Sequence, residues 1–392
     1  MKRFLRSMAL ASALTIISSA AYAEEQHQPA PAGLDVHFGF PGTQGLNELL
    51  VKKGIVTKEE LEAQAKKHSL NVAGYIQVQG AVIENNDEVG YETPTPKALT
   101  DEDGFRIRRA KLAIFGNAYE HVKFKLEANF AGTPALDDAF IEDDHLPYLV
   151  GRVGQFKVPF SLEELTSDTE ILSIERSEVV KQIASERDQG ISFSGDIPGG
   201  LLSYSIGAFN GSKAKAATTY AIGSYNDAAK NATKNDNDQL LYAGRLVAKP
   251  ADWIKIGVSG LTSTDGSGSG EEDRTSYGID LQIKNPKRGC SLQGEYLNQR
   301  LEKTGADVSS EGFYLQAGHF VVPKHLEVAL KYEEYDSDTD VTNRDDIRWT
   351  TVGLNFYIDG HDAKLMANYI FKNEGDDGYD NDTLLAQVQL RF

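Results

Sequence analysis

Ala363-Lys364-Leu365-Met366-Ala367-Asn368-Tyr369-Ile370-Phe371 and Leu384-Leu385-Ala386-Gln387-Val388-Gln389-Leu390-Arg391-Phe392 are separated by an acidic stretch that includes Asp376-Asp377-Gly378-Tyr379-Asp380-Asn381-Asp382. In the first run, Ala363, Leu365, Ala367, Tyr369 and Phe371 alternate with Lys364, Met366, Asn368 and Ile370. In the second, Leu384, Ala386, Val388, Leu390 and Phe392 alternate with Leu385, Gln387, Gln389 and Arg391. A period of two puts each set on its own face of a β-strand. Upstream, Val122, Phe124, Leu126, Ala128 and Phe130 alternate in the same way with His121, Lys123, Lys125, Glu127 and Asn129. In a soluble sandwich the apolar face covers a core; in a barrel it meets lipid.

The connections separate those two cases. Short turns containing Pro, Asp or Gly fall near residues 118–120, 146–148, 197–199, 250–252, 286–288, 322–324 and 359–361. Between them lie mostly longer polar connections: 85–104, 157–188, 211–237, 265–273, 303–310, 337–347 and 375–382, with one short exception near Gly132–Ala135. Tight turns alternating with long loops are the pattern of a transmembrane antiparallel β-barrel, with turns in the periplasm and loops outside. Segments of about ten residues give roughly sixteen strands over 71–392, an even number that returns both strand termini to the periplasm. The terminal Phe392 falls on the lipid register, where an aromatic suits the membrane interface.

The N-terminus supports export. Lys2, Arg3 and Arg6 precede an apolar run from Met8 to Ile17, and Ala21-Tyr22-Ala23 is a small-x-small cleavage site. Residues 1–23 therefore read as a signal peptide. Residues 24–45 lack periodicity. Residues 46–67 look helical: Leu46, Leu49 and Leu50 share a face, and Thr57-Lys58-Glu59-Glu60 forms a capping box. We expect 24–70 to be a periplasmic segment with short helices, acting as a spacer or weak oligomeriser. The mean hydropathy of -0.39 fits a barrel, since only alternate residues meet lipid. Cys290 is the sole cysteine, so no internal disulfide forms. It alternates with Leu292 and Tyr296 and reads as a small lipid-facing residue.

Charge is unevenly placed. The formal total is -18, and removing the three basic residues of the signal peptide leaves -21 on the mature chain. Loops 85–104, 265–273, 337–347 and 375–382 together carry -16 of that. An acidic exterior argues against nucleic-acid binding and suits the outer leaflet, where outer-membrane lipid and lipopolysaccharide are the expected partners. Carboxylates such as those of 376–382 suit divalent cations, but the spacing is not that of an EF-hand, so no metal site and no cofactor is expected. The inward register leans basic: Arg109, Lys111, Lys123, Lys125, Arg245, Lys255, Lys284, Lys331, Lys364 and Arg391 against Glu127, Asp280, Glu295, Glu327 and Glu333. A basic lining lowers the barrier for anions. Alternatively, inward charges of both signs pair across the lumen and set no selectivity.

Residues 157–188 differ from the other loops. They mix apolar residues such as Val158, Phe160, Leu162 and Ile174 with eight acids and the bases Lys157, Arg176, Lys181 and Arg187. A purely external loop would be more polar, so this one is expected to fold inward and narrow the barrel.

Here the chain resembles a known family. Phe105-Arg106-Ile107-Arg108-Arg109-Ala110-Lys111, Arg152-Val153-Gly154-Gln155-Phe156-Lys157-Val158-Pro159-Phe160, Leu162-Glu163-Glu164, Glu175-Arg176-Ser177 and Arg187-Asp188-Gln189-Gly190 are similar to the phosphate-selective porin O and P family. The match runs in order over most of 71–392 and is strongest over 105–210. The resemblance implies a sixteen-stranded outer-membrane homotrimer whose third loop folds inward and whose basic residues pass small anions such as phosphate. It places Arg152, Lys157, Arg176, Lys181 and Arg187 at the constriction, with Arg109, Lys111, Lys123 and Lys125 in a basic wall. One departure stands out: phosphate-selective members carry a lysine where this chain has Leu162-Glu163-Glu164-Leu165.

Other functions find less support. An enzyme in a barrel needs a nucleophile with its base and acid, and neither His121, His319 nor His361 is flanked by a nucleophile motif. An adhesive barrel needs aromatic hot spots, and the acidic loops are polar with few aromatics. A general porin without anion preference remains the alternative within the same class.

Overall fold

The computed structural model describes residues 57, 68–83, 103–211, 239–265, 272–303, 307–340, 347–374 and 382–392. The signal peptide, the stretch 46–67 expected to be helical (Thr57 apart) and most of the four acidic loops, including Asp376–Asn381, lie outside the described residues.

Sixteen antiparallel strands close into one barrel, each paired with its sequence neighbours. In order they are β1 (Asn71–Ile83), β2 (Gly104–Asn117), β3 (Val122–Asn129), β4 (Ala135–Leu146), β5 (Leu149–Lys157), β6 (Arg187–Asp196), β7 (Leu202–Phe209), β8 (Leu241–Ala251), β9 (Ile254–Asp265), β10 (Glu272–Asn285), β11 (Cys290–Lys303), β12 (Val308–Val322), β13 (Leu326–Asp336), β14 (Ile347–Asp359), β15 (Ala363–Glu374) and β16 (Thr383–Arg391). Most meet or exceed the roughly 9–11 tilted residues that span a bilayer. Each of the seven expected short turns is present, and the long connections alternate with them. At one turn, between β6 and β7, Gly199 (φ 96°) and Gly200 (φ 70°) adopt left-handed backbone that a side chain would disfavour.

Strand faces follow the period of two. On β13, Glu327, Ala329, Lys331 and Glu333 are buried inside, while Val328, Leu330 and Tyr332 are exposed outside. On β10, Asp280 and Gln282 point in, and Tyr277, Ile279 and Leu281 point out. An apolar exterior over a polar interior is the inverse of a soluble protein and marks a lipid-facing barrel. Closure leaves no free sheet edge for the bilayer to strip of hydrogen bonds.

The seam joins β1 to β16, with Val78 opposite Val388. Beyond β16, Phe392 N donates to Gly74 O (2.9 Å) and Gly74 N donates to Phe392 O (2.8 Å). A Cβ on residue 74 would lie 2.6 Å from Lys111 O and 2.9 Å from the Phe392 ring. Glycine thus leaves room for the terminal ring to approach the backbone at the seam.

One irregularity matters for the interior. The β1–β2 register shifts between Gln77 and Val78, where the β2 partners jump from Arg109 to Ile107. This bulge leaves Arg108 as the extra residue, and Arg108 and Arg109 are both buried inside. Strict alternation would have sent one of them into lipid, at about 2–4 kcal/mol near the bilayer midplane.

Candidate functional site

The segment between β5 and β6 folds into the barrel, as its composition suggests. It contains two short helices, α1 (Leu162–Leu165) and α2 (Glu178–Ile183). Val158, Phe160, Ile174, Val179, Val180 and Ile183 are almost fully buried against inward side chains of the wall, among them Leu297, Tyr314, Trp349, Met366 and Leu385. Burying six such residues stabilises the docked loop by about 1.5–3 kcal/mol each. Inward Met366, Ile370 and Leu385 break the polar-inside rule, and the loop they underlie is the reason.

Wall carboxylates hold the backbone of the loop. Glu295 on β11 accepts from Ser161 Oγ (3.0 Å), Leu162 N (2.8 Å) and Glu163 N (3.3 Å) at the start of α1. Glu333 on β13 accepts from Ser177 Oγ and Glu178 N, each at 2.7 Å, at the start of α2. Both carboxylates satisfy helix N–H groups that have no partner within the helix. On the β1 and β2 side, Glu175 pairs with Arg108 (2.8 Å) and accepts from Gln79 (3.1 Å). Asp168 accepts from Tyr75 Oη (2.8 Å) and pairs with Lys111 (2.9 Å) and Arg109 (3.2 Å). Burial works against ionisation of Asp168, yet Arg109, Lys111 and Arg176 hold its carboxyl well below the ordinary range. Burial likewise opposes Glu175, and Arg108 and Lys181 outweigh it.

The loop leaves an open space between itself and β1 to β6. This is a cavity of about 290 Å³ whose charged lining is Lys111, Lys125, Arg152, Lys157 and Arg187 against Glu127, Asp138 and Asp168. Five cations face three carboxylates. Lys125 contacts Asp138 (2.7 Å) and Glu127 (2.9 Å). Arg187 contacts Asp138 (2.6 Å) and Glu127 (3.6 Å). Arg152 donates to Glu142 (3.0 Å) through Nε. Lys157 donates to the carbonyls of Glu164 and Thr166. The far wall is charge-paired in a different way: Arg245 meets Asp280 at 2.6 Å, and Arg274 meets Asp265 at 3.2 Å.

A family model, phosphate-selective porin O and P, matches residues 86–254 and 287–392. The chain belongs to that family. A relative, an uncharacterized protein of Aquifex aeolicus (strain VF5), is 26% identical over 427 residues, covering 90% of this chain and 96% of that one. Among solved structures, the anion-selective porin from Comamonas acidovorans is similar with TM-score 0.59 at 14% identity, covering 82% of this chain and 98% of its own. The trimer form of in-vitro folded OmpT, an outer membrane protein of Vibrio cholerae, gives TM-score 0.57 at 9% identity, covering 83% and 99%. The protein is thus an outer-membrane porin, a closed barrel forming a channel.

Within the porin, the nine basic residues singled out in the sequence take four kinds of position. Arg152, Lys157, Arg187, Lys111 and Lys125 line the cavity together. Arg176 and Lys181 serve the loop itself. Arg176 donates to Glu163 O (3.0 Å) and Thr166 O (2.7 Å) and pairs with Asp168. Lys181 pairs with Glu178 at 2.7 Å. Arg109 anchors Asp168 and donates to Gln77 (2.9 Å). Lys123 lies toward the periplasmic end with Asp144 (2.6 Å). The family departure at Glu163 and Glu164 also has a structural use. Glu163 accepts from Ser177 N (2.8 Å) inside the loop, and Glu164 contacts Arg176 (3.5 Å) and Lys157 (3.8 Å).

Sequence reasoning missed Arg108, Glu175, Glu295 and Glu333 as loop anchors. A signal existed for Arg108, because strict alternation from Arg109 points it at lipid. Glu295 and Glu333 were recognised as inward acids, but nothing in one strand says which loop amide an inward carboxylate will meet.

Proposed function

We propose that the porin passes small anions by passive diffusion through the window between its inward loop and β1 to β6. One observation carries this reading: that window is lined by five cations and three carboxylates. In a narrow, low-dielectric passage a surplus of fixed positive charge lowers the barrier for anions and raises it for cations. The family description, with its reference to phosphate, and the anion-selective porin of similar fold support the same direction. Phosphate is one candidate solute within that class.

Further expectations attach to this reading. Assembly as a homotrimer is supported by the trimer form of a fold neighbour. Removal of residues 1–23 on export, and a periplasmic place for 24–70, are supported by the barrel: β1 begins at the end that carries the short turns. The acidic loops would face lipopolysaccharide through divalent cations.

The test is the zero-current potential of single channels in planar bilayers across a KCl gradient. The reading predicts a potential of the sign set by chloride. A potential set by potassium refutes it, and absence of conductance would favour an adhesive role.

A further inference from the structure

Charge is only part of what lines the window. Leu165 ends α1 and is 36% exposed, while Phe160, Ile174 and Val179 of the same loop are buried. A lone exposed leucine is ordinary. This one shares its cavity with Phe140 and Phe156 of the facing strands. Those two rings meet edge to face at 6.1 Å. The Arg152 guanidinium lies over the Phe140 ring at 4.3 Å and 5.3 Å from Phe156. A guanidinium stacked this way stays charged, is weakly hydrated and presents a flat face.

The site therefore joins apolar surface (Leu165, Phe140) to cations (Lys125, Arg152, Arg187) in one cavity. For inorganic phosphate the apolar part is useless, since that ion needs only charge and hydrogen-bond donors. A carboxylate with a flat apolar body uses both: its oxygens meet the cations, and its ring displaces water from Leu165 and Phe140. The cavity, about 290 Å³, falls just below the roughly 300–1,000 Å³ typical of organic ligands, which limits it to one small ring.

We propose that the constriction is an affinity site for aromatic monocarboxylates, of which benzoate is the simplest probe, in preference to inorganic phosphate. This rests on the anion reading above and names its solute class. Binding must stay weak enough for release, as in any conducting site.

The experiment is block of chloride current through full-length wild-type channels by benzoate, acetate or phosphate, with the KCl reversal potential recorded on the same channels. Benzoate is expected to reach half-block at a concentration about tenfold below acetate and phosphate, a difference of about 1.4 kcal/mol. Leu165→Ser should shrink the benzoate–acetate gap to about threefold, about half of that free energy, and Leu165→Met should restore it. Equal block by benzoate and acetate, or stronger block by phosphate, overturns the aromatic preference; an anion-selective potential in the same record leaves the anion reading standing. A cation-selective potential overturns both.

Discussion

Lys125→Gln isolates the charge balance of the window. Lys125 sits on β3 between Glu127 (2.9 Å) and Asp138 (2.7 Å), and Arg187 remains beside Asp138 after its loss. The lining falls from five cations and three carboxylates to four and three. An ion passing about 4 Å from a unit charge in water feels about 1 kcal/mol. That energy is about fivefold in occupancy. Anions should therefore lose up to about fivefold and cations gain up to about fivefold at low salt. The effect should fade near 1 M, where the Debye length is about 3 Å. Reversal potentials in KCl gradients at several ionic strengths measure it. Lys255→Gln is the control, because Lys255 is exposed beside the β8–β9 turn and away from the cavity. An unchanged potential for Lys125→Gln, or an equal shift for Lys255→Gln, would refute the reasoning.

Three further outcomes follow from the loop. Val179→Asp buries a carboxylate among apolar neighbours of α2, at several kcal/mol, so α2 should lift from the wall and single-channel conductance should rise while the unheated protein keeps the gel mobility of a folded barrel; unchanged conductance contradicts this. Glu295→Ala orphans the Leu162 and Glu163 amides at about 1–3 kcal/mol each, less than the six apolar side chains contribute, so mean conductance should hold while hydrogen exchange of α1 accelerates; full protection there would sink the capping role. Asp168 and Glu175 have depressed folded pKa values, so their stabilisation is present above the ordinary carboxylate range of about 4 and is lost only as pH falls through the depressed values. Conductance should thus be steady from pH 7 to about 4, and a step within that interval would show that these groups do not hold the loop.

The barrel was legible because its two signals are local. Alternation such as Val328-Ala329-Leu330-Lys331-Tyr332 and turns such as Pro198-Gly199-Gly200 are decided by neighbours in sequence. The inward loop was legible from its excess of Val158, Phe160 and Ile174. What lay hidden is non-local. The family resemblance placed Arg176 at the constriction, yet its guanidinium turns to the carbonyls of Glu163 and Thr166, which no spacing rule foretells. The basic wall was visible, but its pairing with Asp137, Asp138 and Glu142 depends on β2, β3, β4 and β5 lying side by side. The alternatives of a basic lining and of paired charges are therefore both partly present: the charges pair, and among the groups that face the cavity itself cations outnumber carboxylates five to three.

The most direct test of that surplus uses a reporter at the window itself. Leu165→Cys in a Cys290→Ser background carries one thiol, placed on the loop face that lines the cavity. Its rate of modification by an anionic and a cationic methanethiosulfonate reagent is read as stepwise loss of single-channel current. Relative to each reagent's rate with a small free thiol, the account predicts that the anionic reagent is favoured by about fivefold at low salt, the ratio for about 1 kcal/mol, and that each event cuts the current. A normalised preference for the cationic reagent, or modification that leaves the current unchanged, would contradict it.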